Sequence, residues 1–198
     1  MRAKRPTAQS TSRALDGRPD LTAALERLLA AMVERSPALH RVDASVVVVV
    51  AVSAHGLAAA SVRELGPCAR SVVVCGLKRH IELALRPPFF LGGDAPARLA
   101  TLAHELLHLD GETLRAENKH DKKGHAALEK EARAVAAALL PVLDARAVLC
   151  LAHHGEVLLR AWKHRPTETT KRRAFDDDDV YAQPLLQVTP ADRRGGWW

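Results

Sequence analysis

Three residues in one short segment have the types and the spacing from which a metal site can be built. His104 and His108 lie four positions apart, and Glu105 lies between them. Side chains four apart on an α-helix share one face, so both imidazoles can bind the same metal ion. Glu105 lies about 100° around that helix, where its carboxylate can reach a water on the metal but is poorly placed as a ligand. The His-Glu-x-x-His spacing therefore predicts two zinc ligands and a general base.

The residues on either side predict the helix that must carry this motif. Asp94 is a candidate N-cap, and Pro96 suits the first turn, where its missing N–H costs nothing. Apolar residues recur at helical spacing through the motif, namely Leu99, Leu102, Ala103 and Leu106. We expect the helix to continue to about Leu109, where Asp110-Gly111 provides a stop signal. In the opposing interpretation, the two histidines and the glutamate are ordinary surface residues.

A catalytic zinc ion needs a third protein ligand and an open fourth position. The metzincin pattern would place that ligand at position 114, which is Leu114, so that class is excluded. His125 is the favoured candidate, because it begins a second predicted helix whose apolar stripe directs its imidazole towards the first helix. His120 is a second candidate and requires the polar loop before that helix to fold back. Glu131 is a third, about 80° from the centre of the stripe, and Glu129 is a remote fourth.

The segment 101–108 (Thr-Leu-Ala-His-Glu-Leu-Leu-His), with Gly124-His125-Ala-Ala-Leu128 beyond a polar loop, resembles the SprT-like metallopeptidases. In that family a histidine followed three positions later by a bulky apolar residue is the third ligand, so the resemblance implies His125. Leu128 stands where the family usually has Phe, Ala126 where it usually has Gly, and no terminal zinc ribbon follows. The resemblance covers about residues 80–140. The stretch 155–166 is also similar to the ending of a group of bacterial metallopeptidase-like proteins.

A rival resemblance involves the second helix. Residues 127–141 (Ala-Leu-Glu-Lys-Glu-Ala-Arg-Ala-Val-Ala-Ala-Ala-Leu-Leu-Pro) are similar to a helix of ImmA/IrrE-like metallopeptidases. In that family the glutamate of a Glu-Ala pair is the zinc ligand, which implies Glu131 here. Both resemblances agree on His104, Glu105 and His108 as the remaining site residues. Both imply a zincin metallopeptidase that hydrolyses peptide bonds in a protein or peptide substrate.

The rest of the chain predicts an α+β fold. Residues 1–19 are expected to be a disordered basic arm, 20–190 a single zincin-like metallopeptidase domain, and 191–198 a tail. Hydrophobic periodicity predicts a helix over 20–34 and a strand buried on both faces over 46–50. Further strands are expected over 71–75, 80–85, 156–162 and 180–188. The expected architecture is a small, mostly antiparallel sheet packed on two zinc-bearing helices, with the N-terminal helix alongside.

The composition limits the class of protein. The chain has 198 residues, 47% apolar and 26% charged, enough for one domain with a core. Its net charge of +6 is concentrated in the arm and in residues 160–173, where six Lys or Arg residues meet one acid. Such basic segments suit a nucleic-acid partner, but no aromatic residues interleave them as a stacking surface requires, so solvated basic segments are the favoured interpretation.

The cysteines and the apolar segments indicate the cellular compartment in which the protein is expected. Three cysteines without Cys-x-x-Cys spacing argue against a disulfide framework and against a cysteine zinc ribbon. They predict a reducing, cytoplasmic location. The longest apolar run, 44–54, is about half the length that a bilayer requires, and the N-terminus lacks the apolar core of a secretory signal. No membrane association is expected.

Two other functions remain open at this stage. The chain could hold zinc without turnover, as a binding module for a protein or a nucleic acid. The intact Glu105 argues against that function, because a structural site has no need of a general base. By analogy with SprT-like relatives, the chain could also be a protease associated with DNA.

Overall fold

The structure is a computed structural model that describes residues 20–52, 58–65, 72–110, 115–116, 122–152, 157–166, 175–176 and 179–186. The helices are α1 (Thr22–Arg35), α2 (Pro87–Leu91), α3 (Ala95–Leu107), α4 (Lys122–Leu139) and α5 (Ala145–Val148). The strands are β1 (Val47–Ala51), β2 (Ala60–Glu64), β3 (Val73–Val74), β4 (Leu77–Lys78), β5 (Ile81–Leu85), β6 (Leu109–Asp110), β7 (Arg115–Ala116), β8 (Val157–Trp162) and β9 (Val180–Leu186). Short 3₁₀ turns lie at Pro37–Leu39, Ala44–Val46 and Leu149–Leu151.

The central sheet has three strands in the order β1-β5-β2. β1 runs parallel to β5, with Val47 opposite Ile81, whereas β2 runs antiparallel to β5, with Val62 opposite Leu83. The central sheet is therefore mixed, and the expectation of a mostly antiparallel sheet is wrong for it. The three separate two-stranded sheets, β3-β4, β6-β7 and β8-β9, are antiparallel. The physical reason lies in the burial of β1 and β5, since every residue of both strands is buried. Burial on both faces is typical of parallel strands, which are joined by a long crossover.

Alternate residues of the sheet face two separate apolar clusters. One face packs on helices α1, α3 and α4 through Val47, Val49, Ala51, Ile81, Leu83 and Leu85. The other face includes Val48, Val50 and Ala84 and packs on Trp162 and Phe175. The expected α+β class is confirmed by this arrangement. The arm 1–19 and the tail 191–198 lie outside the described residues, and the boundary of a single domain over 20–190 stays a prediction.

The expected helices are present, with small differences at their ends. The side chain of Asp94 accepts a hydrogen bond from the Ala97 amide at 2.9 Å and caps α3, as predicted. Asp20 does not occupy the N-cap position of α1, which is Leu21, but its carboxylate accepts from the Thr22 amide at 2.8 Å. α3 ends at Leu107, two residues earlier than expected, because His108 is its C-cap and Leu109–Asp110 already form β6.

β2 and α2 are among the elements that the sequence-based expectation does not contain. β2 alternates buried Ala60 and Val62 with more exposed neighbours, but five small or polar residues give a weak signal of a strand. α2 begins at the two prolines after Arg86. In the sequence alone, this stretch indicates an interruption of the hydrophobic pattern. Proline is tolerated in the first turn of a helix, because the N–H it lacks has no helical partner there.

A buried charge cluster joins the central sheet to the end of β8. Glu82 of β5 is fully buried and accepts hydrogen bonds from Arg63 at 2.9 and 2.7 Å and from the Trp162 indole at 2.8 Å. Arg165 donates to the same carboxylate, and Arg63 also donates to the Pro166 carbonyl at 2.9 Å. Burial raises the pKa of Glu82, but the hydrogen bonds and charges of the two arginines outweigh it, so the pKa lies below its usual value.

We predict that Glu82→Gln lowers the free energy of unfolding by about 2 kcal/mol at neutral pH, since two partly buried guanidinium groups lose their counter-charge. Because the native pKa of Glu82 is lowered, its stabilising effect is present above the unfolded-state pKa of about 4.3. The effect is lost as pH falls through the native pKa. Urea denaturation at several pH values measures the difference, which should narrow below about pH 4.

Glu64→Gln, at an exposed position of β2, is the matched control and should change stability by less than about 0.5 kcal/mol. Equal stabilities of wild type and Glu82→Gln at pH 7 would contradict the role assigned to the cluster.

Candidate metal centre

Helices α3 and α4 pack together and position the histidines of the candidate site. Residues of both helices belong to one apolar cluster, namely Leu99, Leu102, Ala103 and Leu106 of α3 with Ala132, Val135, Ala136 and Leu139 of α4. His125 lies on the same stripe of α4 as Ala132 and Ala136, one turn before the half-buried Leu128. His104 lies within α3, and His108 is its C-cap with helical backbone angles (φ −71°, ψ −14°). The helical spacing of the motif is therefore kept to its last residue.

A buried arginine fixes α3 relative to its neighbours. Arg98 is 2% exposed, and its guanidinium donates to the carbonyls of Leu151 at 2.7 Å and Phe90 at 2.8 Å. A longer hydrogen bond of 3.4 Å reaches the Gly92 carbonyl. Burial lowers the pKa of Arg98, and the charge of Asp94 opposes that effect. The helix that carries the motif is thus tied to α2 and to the turn after α5.

The structure brings His104, His108 and His125 together. The rings of His104 and His108 have centroids 4.8 Å apart, and their Nε2 atoms are 3.1 Å apart. The ring of His125, from a different helix, has its centroid 5.2 Å from that of His104. The side chain of His125 is 52% exposed. The predicted pairing of two imidazoles one helical turn apart is present, and His125 is the third ring beside them.

The distance between the two Nε2 atoms is close to what a shared metal requires. Two zinc–nitrogen bonds of about 2.05 Å at a tetrahedral angle place their nitrogens about 3.3 Å apart. The observed 3.1 Å is held by a hydrogen bond between the two rings. As placed, no group of three or more His, Cys, Asp or Glu side chains within the described ranges meets the geometry of a metal site.

Glu105 faces the edge of the central sheet. It is 8% exposed, and its Oε2 accepts a hydrogen bond from the backbone N–H of Val62 in β2 at 3.0 Å. Burial raises the pKa of Glu105 to about 7, although the Val62 hydrogen bond and the charge of Arg86 lower it. A carboxyl group with a pKa near 7 can both accept and release a proton at neutral pH. This pKa range suits the general base that the motif predicts.

Among the other predicted ligands that the structure describes, none is in contact with all three rings. Glu131 is exposed on α4, and His120 lies outside the described residues. Glu129 has its Oε1 3.8 Å from the Nε2 of His125 and its Oε2 3.4 Å from Arg133. It is therefore placed to influence the orientation of the His125 ring.

Two groups at the site have no counterpart in the sequence-based expectation. One is the Val62 amide, whose role depends on β2 and could not be assigned without that strand. The other is Arg86, whose charge acts on Glu105 and whose Nη2 donates to the Ser61 hydroxyl at 3.1 Å. Arg86 directly precedes two prolines and therefore reads in sequence only as part of a turn.

Comparison with known proteins gives no family for this chain. No protein-family model matches it, no curated protein matches it, and no solved structure matches it. None of the helices that the structure describes has both the length and the apolar character needed to cross a membrane.

We predict that Arg98→Met lowers the free energy of unfolding by about 3 kcal/mol, because buried carbonyl oxygens lose a charged donor. Chemical denaturation measures the change. The control is Arg133→Met on the exposed side of α4, where the side chain is 74% exposed. Its expected effect is below about 0.5 kcal/mol. If the two variants were equally stable, Arg98 would not be the anchor of α3.

Proposed function

We propose that this chain is a zinc-dependent metallopeptidase that hydrolyses peptide bonds in a protein or peptide substrate. His104, His108 and His125 are the proposed zinc ligands, and Glu105 is the proposed general base. The observation that carries this proposal is the convergence of three imidazole rings from two helices, with centroids 4.8 and 5.2 Å from that of His104. A buried carboxylate directly follows the central histidine in the chain. Surface histidines without a common function have no reason to converge in this way.

The donor set fits zinc. Three imidazole nitrogens from side chains are a known catalytic zinc set, and they leave the fourth position open for water and substrate. Harder cations such as Mg²⁺ and Ca²⁺ prefer carboxylate and carbonyl oxygen, which the three rings do not offer. A bound zinc ion would activate water and polarise the substrate carbonyl.

Glu105 would take the proton from the attacking water and later pass it to the leaving amine. The Val62 amide holds one oxygen of its carboxylate, which leaves Oε1 for the proton. Because β2 fixes this orientation, the side chain does not have to be ordered when the substrate binds. The burial that raises its pKa also strengthens electrostatic interactions within the site.

The edge of β2 gives a reason to expect a peptide substrate. Backbone hydrogen bonds join both ends of the β2 region to the β5 region. The Arg86 N–H donates to the Ala59 carbonyl, and the Leu65 N–H donates to the His80 carbonyl. The alternation of an antiparallel pair then turns the backbone N–H and C=O of Val62 away from β5, in agreement with its hydrogen bond to Glu105. No described strand is hydrogen-bonded to that outer edge, although β7 lies close to β2. An extended peptide could lie along it, next to the general base.

The position of His125 also bears on the two resemblances. Its ring lies beside His104, as the SprT-like pattern implies, whereas Glu131 is exposed on α4. We therefore favour a zincin of the SprT-like kind over one of the ImmA/IrrE-like kind.

Metal content tests the ligand set. We expect about one equivalent of zinc in the wild type and large losses in His104→Ala, His108→Ala and His125→Ala. Glu131→Ala on the same helix as His125 is the matched control and should retain its zinc. Loss of zinc in Glu131→Ala with retention in His125→Ala would reverse the choice of third ligand.

Proteolysis of an unfolded protein tests the general base. Glu105→Gln should keep its zinc and its fold while losing activity by at least about 10³-fold. Wild-type protein that holds zinc but cleaves nothing, with no effect of Glu105→Gln, would instead indicate a non-catalytic binding module. Single-stranded DNA added to the same assay tests an association with DNA. Such an association predicts that the DNA stimulates cleavage and that salt suppresses this stimulation.

A further inference from the structure

Arg86 differs from the buried Arg98 and Arg79 in how its guanidinium is satisfied. Arg98 has three carbonyl acceptors, and Arg79 has the carbonyls of Val74, Ser45 and Val47. Arg86 has one neutral partner among the described residues, the Ser61 hydroxyl. Its Nε is buried without any acceptor. A buried guanidinium that lacks acceptors carries an uncompensated desolvation cost.

The side chain of Arg86 follows β2 towards the candidate site. The backbone N–H of Arg86 donates to the Ala59 carbonyl at 2.9 Å, whereas its Nη2 reaches Ser61 at 3.1 Å. Ser61 directly precedes Val62, whose amide holds Glu105 at 3.0 Å. The guanidinium therefore lies beside Ser61, and the next residue, Val62, positions the proposed general base. Its charge is close enough to lower the pKa of Glu105.

No acidic side chain within the described ranges forms an ion pair with Arg86, in contrast to Arg63, which pairs with Glu82 at 2.7 Å. Glu105, the acid on which its charge acts, is held by the Val62 amide instead. Among described residues, the Nη1 atom of Arg86 makes no hydrogen bond. A planar guanidinium with unused donors is suited to bind a carboxylate, through two parallel hydrogen bonds where both oxygens are accessible.

We propose that Arg86 binds a carboxylate group of the peptide substrate and so selects acidic substrates. This inference rests on the proposed function, because it names the substrate class of the same site. The carboxylate can come from the free C-terminus of a peptide or from an Asp or Glu side chain near the cleaved bond. In either case the substrate supplies an acceptor for the Nη1 donors, which no described residue accepts. Arg86 is then a specificity-determining residue beside Ser61, the neighbour of the residue whose amide holds Glu105.

Binding to a protein that cannot turn over tests this role without depending on catalysis. The test uses zinc-loaded Glu105→Gln protein and three kinds of fluorescently labelled peptide with an otherwise identical apolar sequence. One has a free C-terminal carboxylate, one is C-terminally amidated, and one set is amidated with a single Glu moved stepwise along the chain. We expect one of the two kinds of carboxylate peptide to bind about 10-fold more tightly than the neutral amide. The kind of peptide that binds more tightly identifies the source of the carboxylate.

Arg86→Gln in the same background should remove this preference, because the amide lacks both the charge and the fork of donors. Arg86→Lys should retain a smaller preference, about 3-fold, since it keeps the charge alone. Arg35→Gln, at an exposed position at the end of α1, is the matched control and should keep the full preference. Thermal unfolding of the Arg86 variants shows whether the fold is retained.

Equal binding of acidic and neutral peptides, an unchanged preference in Arg86→Gln, or no binding of any peptide would overturn the proposal. These outcomes are separable from failure of the proposed function. Wild-type protein that cleaves acidic and neutral peptides equally well would refute the role of Arg86 and leave the peptidase intact. A preference that depends on Arg86 in a protein that cleaves nothing would refute the peptidase and leave the carboxylate site intact.

Discussion

The packing of α3 against α4 is the contact on which the candidate site depends. Two histidines on one helix are a common pattern, and alone they provide only half of a metal site. The apolar seam that includes Leu106 and Ala132 sets the relative position of the two helices. That position brings the ring of His125 to 5.2 Å from the ring of His104. Arg98 strengthens this arrangement, because it fixes α3 from the other side through buried carbonyl groups.

The central sheet contributes the second half of the site. β2 lies at the edge of the sheet, and its Val62 amide holds Glu105. A carboxylate that is buried and held by one backbone donor is oriented before any substrate arrives. Arg86 reaches the preceding residue of the same strand. Glu105 and Arg86 therefore contact neighbouring residues of one short strand. This shared strand links the proposed chemistry to the proposed selectivity.

Elements with strong apolar periodicity could be predicted from the sequence. The helix of the motif, its Asp94 cap, and the fully buried strand β1 follow from local patterns. The stripe that holds His125 also predicted the side of α4 on which this residue lies. By contrast, β2 has five residues with a weak alternation, so its existence depends on pairing with β5. The hydrogen bond from Val62 to Glu105 joins residues 43 positions apart, and no local pattern contains such a contact. The parallel pairing of β1 with β5 escaped prediction for the same reason, because pairing partners distant in sequence are chosen by the tertiary fold.

X-ray absorption spectroscopy of the zinc-loaded protein tests the central claim most directly, because it reports the donor atoms around the metal. Three imidazole nitrogen donors and one oxygen donor, at about 2.0–2.1 Å, are the expected result. His125→Ala should reduce the imidazole count to two, whereas Glu131→Ala should leave the spectrum unchanged. A first shell with fewer than three imidazoles in the wild type, or with sulfur donors, would contradict the proposed site.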